Sequence, residues 1–259
     1  MKFNINQKIN TLILAKKKIR NWYILPIIYL KIYPKPIVKI ITREGLKINL
    51  RTNTTDFFVF VNIWLLNEYD EKLYFQDSNE IIIDIGAHIG LFTLFVKQFS
   101  KNIKILCFEP YIENFKMLNQ NLNDNNIENV SIFKNIVSNK NQIISLFINT
   151  DNAANNIYQE SENFCSVESI KLEKIFEENN INTCDLLKLD CEGAEYEILL
   201  NLDSKYYKKI NKIIMECHNT ITDFRSFNQL KRLLMKENFQ IRSKDVGDEL
   251  SILYAQRRI

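Results

Sequence analysis

Residues 81–90, Ile-Ile-Ile-Asp-Ile-Gly-Ala-His-Ile-Gly, constrain the fold more than any other stretch of the chain. Ile81, Ile82 and Ile83 make an unbroken apolar run, the pattern of a strand buried on both faces in a parallel sheet. Asp84 ends the run. Gly86 and Gly90 then remove side chains where the backbone must turn sharply and let a ligand come close. Leu91 to Phe99 continues with apolar residues at helical spacing. A strand, a glycine turn and a helix in that order build a nucleotide-type site.

The same residues argue against a dinucleotide. That fingerprint needs G-x-G-x-x-G, and here His88 and Leu91 stand where the second and third glycines belong. Asp84, just before the turn, would also repel a pyrophosphate. A cationic ligand without phosphates is favoured instead, and S-adenosylmethionine, with its sulfonium and amino group, is one. Glu109 follows Asp84 by 25 positions, at the end of the next apolar strand, Ile103 to Phe108. A carboxylate there can accept from both hydroxyls of a ribose.

Further along, Ile112 to Asn123 reads as a helix through Phe115, Leu118 and Leu122, and Val130 to Val137 as a strand with Asn135 or Ser138 near its end to meet an adenine. Gln142 to Ile148 reads as an extra strand and Asp151 to Asn163 as a polar loop. Asp185 to Glu195, Asp-Leu-Leu-Lys-Leu-Asp-Cys-Glu-Gly-Ala-Glu, repeats the strand-to-glycine-turn design. Alternation sets Lys188, Asp190 and Glu192 on one side and Leu187, Leu189 and Cys191 on the other. Lys212 to His218 is another buried strand, with Glu216 and His218 sharing a side. Ligands of open α/β sheets sit at the carboxyl ends of strands, which brings Asp84, Glu109, Asp190, Glu216 and His218 to one rim. A helix at Ser226 to Glu237 and strands at Phe239 to Lys244 and Leu250 to Gln256 close the sheet with an antiparallel hairpin.

Residues 1–79 read as an N-terminal extension and accessory cap, and 80–259 as the catalytic domain. Val38 to Leu50 alternates around Glu44-Gly45 as a β-hairpin, and Asp56 is placed to cap a helix carrying Phe57, Phe60, Val61, Trp64 and Leu65. Ile5, Ile9, Leu12, Ile13 and Ile19 recur at near-helical intervals beside the basic run Lys16-Lys17-Lys18-Ile-Arg20. The apolar run Trp22 to Leu30 is too short to span a bilayer and is broken by Pro26. Two roles stay open for this region: packing on the catalytic domain or on a second copy in a homodimer, or a peripheral contact with a membrane surface. A net charge of +3 is too mild to indicate nucleic acid. Five cysteines without C-x-x-C spacing point to a reducing cytoplasm, at the inner face of the membrane if the extension docks there.

Asp84-Ile-Gly-Ala-His-Ile-Gly90, Phe108-Glu-Pro110 and Leu187-Lys-Leu-Asp-Cys-Glu-Gly-Ala-Glu195, followed by Glu216-Cys-His218, resemble the FkbM-type S-adenosylmethionine-dependent methyltransferases. His88 departs from the Asn common in that family's first motif. The resemblance implies the class I methyltransferase fold: an α/β, Rossmann-like, mostly parallel seven-stranded sheet with helices on both faces and a C-terminal antiparallel hairpin. It also implies O-methylation of a sugar, glycan or related polyhydroxyl acceptor.

Asp84, Gly86, His88, Gly90, Glu109 and Asn135 are then the cofactor contacts. His218 is the preferred base, oriented by Glu216 or Asp190, because imidazole titrates near working pH. Lys188 either contacts the substrate or pairs with Glu192 or Glu195. A divalent ion on Asp190, Glu216 and His218 is a variant of the same site. A non-catalytic adenosylmethionine-binding module and a nicotinamide-dependent oxidoreductase are the rival readings.

Overall fold

Helix α1 (Ile5–Lys18) begins the computed structural model, which describes residues 5–69, 79–148, 163–218, 224–246 and 250–258, with side chains for all of these except 5–8, 218 and 224–226. α1 buries Ala15, and Ile19 just beyond it, while Ile9 and Ile13 face outward. A 3-10 turn (Trp22–Ile24) leads into α2 (Leu25–Tyr29), with Pro26 in the first turn, where no N–H is needed. Strands β1 (Ile37–Ile41) and β2 (Lys47–Arg51) form the expected antiparallel hairpin, Ile37 opposite Arg51 and Ile41 opposite Lys47.

α3 (Asp56–Phe60) runs directly into a π-helical turn (Val61–Leu65). Asp56 does not cap it. Thr55 holds the N-cap position without a side-chain capping bond, and the Asp56 carboxylate turns back to Arg51 instead.

The motif stretch forms β3 (Ile81–Ile85) and α4 (Leu91–Lys97), followed by β4 (Lys104–Phe108), α5 (Ile112–Asp124) and β5 (Val130–Phe133). The single strand expected from Val130 to Val137 is broken at the polar pair Lys134-Asn135. β6 (Ile136–Ser138) instead joins β7 (Ile143–Phe147) and β8 (Phe164–Lys171) in a separate sheet of order β6-β8-β7. The polar loop expected at Asp151 to Asn163 lies, up to 162, outside the described residues.

α6 (Leu172–Glu178), β9 (Leu186–Leu189), α7 (Ala194–Leu200), α8 (Ser204–Tyr207), β10 (Lys212–His218), α9 (Phe224–Lys236), β11 (Phe239–Asp245) and β12 (Leu250–Arg257) complete the chain. The main sheet has seven strands in the order β11-β12-β10-β9-β3-β4-β5. β10, β9, β3, β4 and β5 run parallel; β12 is antiparallel to both of its neighbours.

Helices cover both faces, as unbroken apolar strands require. One core gathers Phe92, Leu94 and Val96 of α4 with Leu118 of α5 and with Ala15, Phe60, Trp64 and Leu65 of the extension. The other joins Ile175, Leu199, Leu230 and Leu234 of α6, α7 and α9 on the opposite face. Trp64 seals the first core by donating its indole N–H to the Leu91 carbonyl at 3.2 Å and packing edge-on to Phe95. The extension therefore shares a core with the helix that follows the glycine turn. Among the described residues no helix is long and apolar enough to cross a membrane.

Candidate active site

The chain leaves β3 toward β4 and β5 on one side of the sheet and later fills β9 and β10 on the other, so a crevice opens at the carboxyl ends of β3 and β9. A cavity of about 190 Å³ occupies it. Two turns cross beneath. Gly86 sits at φ +76°, and a Cβ there would stand 1.7 Å from the Asp190 carbonyl oxygen, so only glycine lets the turn after β3 pass the turn after β9. The second turn carries Glu192 at φ +54° and Gly193 at φ +104°. Glu195 holds it from below, accepting from the Cys191 N–H at 2.7 Å and the Gly193 N–H at 2.8 Å.

On the β4 side, Glu109 forms part of the cavity wall. Its Oε2 accepts from the His88 backbone N–H at 2.8 Å, and its Oε1 from the Tyr111 N–H at 2.9 Å and Asn114 Nδ2 at 3.3 Å. Burial pushes its carboxyl up to about 7 against the pull of those donors. Oε1 spends both lone pairs on these donors, and Oε2 keeps a second lone pair for a ligand hydroxyl.

Behind this wall lies a buried ion pair contributed by the extension. Arg51 clasps Asp56 through Nε at 2.9 Å and Nη2 at 2.8 Å, and Nη2 also donates to Asn114 Oδ1 at 2.8 Å. Burial opposes the charge on Asp56, but the bonds and charge of Arg51, together with the nearby His88, hold its carboxyl below the ordinary value. His88, at φ +51°, points its Nε2 into this pair, 3.3 Å from Arg51 Nη2. Burial lowers the imidazole's pKa, and Nε2 also lies 3.4 Å from Asp56 Oδ1, while both hydrogens of Arg51 Nη2 already go to Asp56 and Asn114. Nδ1 has no hydrogen-bond partner, and the residue lines the cavity.

Carboxylates gather on the opposite side. Asp190, Glu192, Glu216 and Glu68 all line the cavity, the last from the segment after the π-helical turn. Tyr69 donates its hydroxyl to Glu216 Oε1 at 2.7 Å, and Asn62 Nδ2 donates to Glu68 Oε1 at 3.2 Å. Burial first, and the Asp190 charge second, push the Glu68 carboxyl up to about 7, against Lys244 and Lys188. Phe108, Ile136, Val137 and Leu146 make the apolar wall, with Phe108 stacked on Phe133 at 4.9 Å.

Residues 84–243 match the family model described as Methyltransferase FkbM domain. The chain belongs to the FkbM methyltransferase family. It resembles Methyltransferase sdnD of Sordaria araneosa, 27% identical over 237 residues, 78% of this chain and 90% of that one. Methyltransferase 1 of Beauveria bassiana is 24% identical over 206 residues, 71% of this chain and 81% of the relative. The crystal structure of Methyltransferase FkbM from Methylobacillus flagellatus shares the fold at a TM-score of 0.50 and 16% identity, covering 78% of this chain and 53% of that one.

In this FkbM methyltransferase the cavity collects Gly86, His88, Glu109, Asn135, Asp190 and Glu216 from the expected site. Asn135 stands at the strand break, its Nδ2 3.4 Å from the Glu168 carbonyl. Gly90 packs behind the wall, where a Cβ would meet Leu118 at 2.4 Å.

Gly90, expected among the cofactor contacts, thus does not line the cavity, and two further expected contacts are corrected. Asp84 is wholly buried beneath the turn, with Thr93 donating to Oδ2 at 3.0 Å and the Lys188 ammonium 3.2 Å from Oδ1 as a charge neighbour without hydrogen-bond alignment. It cannot touch a ligand in the cavity. Lys188 is equally hidden, donating to the Gly86 carbonyl at 2.7 Å and lying 3.5 Å from Asp190 Oδ2. Burial opposes its charge, but Asp84 and Asp190 outweigh burial and raise its pKa, so it stays an ammonium that ties the two turns together. Its partners are Asp84 and Asp190 rather than the substrate, Glu192 or Glu195.

Cys191, set by alternation on the side opposite Asp190, lines the cavity with it because the chain has already left the strand there. His218 ends β10 at the same rim, and its side chain lies outside the described residues. Among the described residues no group of three His, Cys, Asp or Glu side chains is placed to hold a metal ion.

Sequence reasoning missed Glu68, Asn62, Arg51, Asp56 and Asn114. Only Asn114, five residues after Glu109 in the first turn of α5, carried a local signal.

Proposed function

We propose that this methyltransferase uses S-adenosylmethionine to methylate a hydroxyl of a sugar, glycan or related polyhydroxyl metabolite. The observation that supports it best is one cavity with Glu109, pinned by two backbone N–H groups, on one side and Glu68, Asp190 and Glu216 on the other. The residues suit the cofactor. Glu109 Oε2 has a lone pair for a ribose hydroxyl, Phe108, Val137 and Leu146 suit a purine, Asn135 stands beside them, and Asp190 favours a cationic group. When bound, S-adenosylmethionine supplies a methyl group on a cationic sulfur.

The chain's task at the acceptor is to orient a hydroxyl and receive its proton. A carboxyl titrating at about 7 does this near neutral pH, which makes Glu68 the base among the described side chains. Asp190 beside it raises its basicity. Asn62 and Tyr69 hold Glu68 and Glu216 in place. His218, at the end of β10, is the competing base. Titration calorimetry with S-adenosylmethionine, followed by transfer of labelled methyl groups to a panel of sugars, polyols and amines, tests the reading. Methylated hydroxyl products support it; cofactor binding with label only in amines overturns it.

A further inference from the structure

Val59 and Asn62 face the catalytic cavity, whereas Phe57 and Val61 of the same helical segment face away from it. There they close a groove of about 130 Å³ with Leu12 of α1 and Leu25, Pro26 and Tyr29 of α2. Ile9 and Ile13 of α1, with Tyr23, Leu30 and Ile32, are each more than half exposed around this region. Apolar surface concentrated in this way marks a contact with something other than water.

The charge is as one-sided as the hydrophobicity. Of the chain's 34 Lys and Arg and 31 Asp and Glu, ten basic residues and no acidic ones precede Glu44. On α1, Ile9, Ile13, Lys16 and Lys17 follow one another at i, i+4, i+7 and i+8, along one side of the helix, while Ala15 anchors the other side in the core. Lys16, Lys17, Lys31 and Lys35 are exposed, and none of the ion pairs among the described residues involves them.

We propose that the face formed by α1 and α2 docks the chain peripherally on a membrane surface rich in anionic lipid. Cations beside apolar side chains are the complement of such a surface: the ammonium groups meet the headgroups while Ile13, Leu30 and Ile32 enter the acyl boundary. A nucleic acid would engage the lysines and gain nothing from the exposed aliphatic groups. A second copy would set one all-basic face against another. No helix among the described residues can cross the bilayer, so the contact is superficial.

Flotation of the full chain with vesicles of phosphatidylcholine containing about a third phosphatidylglycerol, against phosphatidylcholine alone, tests this. The chain binds the anionic vesicles, and the paired substitution Lys16→Gln with Lys17→Gln weakens binding about twenty-five-fold, at about fivefold for each charge. Leu30→Ser with Ile32→Ser lowers the binding that survives at high salt. Both variants keep the parent's melting temperature. Equal binding to neutral and anionic vesicles, or none to either, overturns the proposal. So does binding to heparin or duplex DNA with none to vesicles, or a dimer in sedimentation velocity that Leu30→Ser with Ile32→Ser dissociates while vesicles go unbound.

Discussion

Under the proposed function, Glu109 is the residue on which cofactor affinity should depend most directly. It is buried, it accepts two backbone N–H bonds, and its carboxyl is pushed up to about 7, so it gains its charge only as pH rises through neutrality. An ionised carboxylate accepts hydroxyl hydrogen bonds better than a protonated one. Affinity for S-adenosylmethionine, measured by titration calorimetry, should therefore tighten between about pH 6 and about pH 8. Glu109→Gln should weaken it about ten- to a hundredfold and remove that pH dependence. Glu68 makes a matching prediction for rate. If it is the base, kcat/KM rises with pH through about 7, and Glu68→Gln removes that limb and lowers kcat by about a hundredfold or more with little change in cofactor affinity. His218→Ala keeps the limb under this assignment and abolishes it if the histidine takes the proton instead.

At the scale of elements, β2 and α3 act as a brace behind the glycine turn. Arg51 at the end of β2 binds Asp56 at the start of α3, and the same guanidinium reaches Asn114 of α5, which in turn bonds Glu109. Arg51→Met strands a buried carboxylate and should destabilise the protein by about 3 kcal/mol in urea unfolding. Adding Asp56→Leu should recover most of that loss without recovering cofactor affinity, because Asn114 still lacks its donor. The hairpin itself was legible from the alternation of Val38 to Leu50, and α3 from its aromatic stripe. Their function was not legible, since Arg51 meets Asn114 across 63 positions of chain. The break between β5 and β6 was missed for a related reason: two polar residues inside an apolar run decide nothing until a second sheet offers Ile136 a partner in Ser169.

For the whole molecule, two carboxyl groups held at about 7 make stability depend on pH. Glu68 and Glu109 have ordinary values of 4.5, so between 4.5 and 7 the native state binds more protons than the unfolded chain, and stability falls as pH rises across that window. Glu109 alone accounts for on the order of 3 kcal/mol of this fall. Urea midpoints of the ligand-free protein should drop from about pH 5 to about pH 7.5, and the double variant Glu68→Gln with Glu109→Gln should flatten the profile.

The sequence by itself determined the catalytic sheet: its parallel strands, the glycine turn after β3, the matching turn after β9, the antiparallel β12 and the family to which the chain belongs. The strands and turns follow from local period and from glycine positions, which act within a few residues, and the family from the resemblance that those motifs carry. Only the tertiary structure decided which charged groups reach the cavity. Lys188 shares its side of β9 with Asp190 by parity, yet the crossing turns bury it, and Asp84 is covered with it. Glu68 enters the cavity from the turn after a helical segment whose destination depends on Trp64 seating against Leu91. Burial is a property of what packs over a side chain, and the groups meeting here lie from nine positions apart, as Thr93 and Asp84, to more than a hundred, as Lys188 and Gly86.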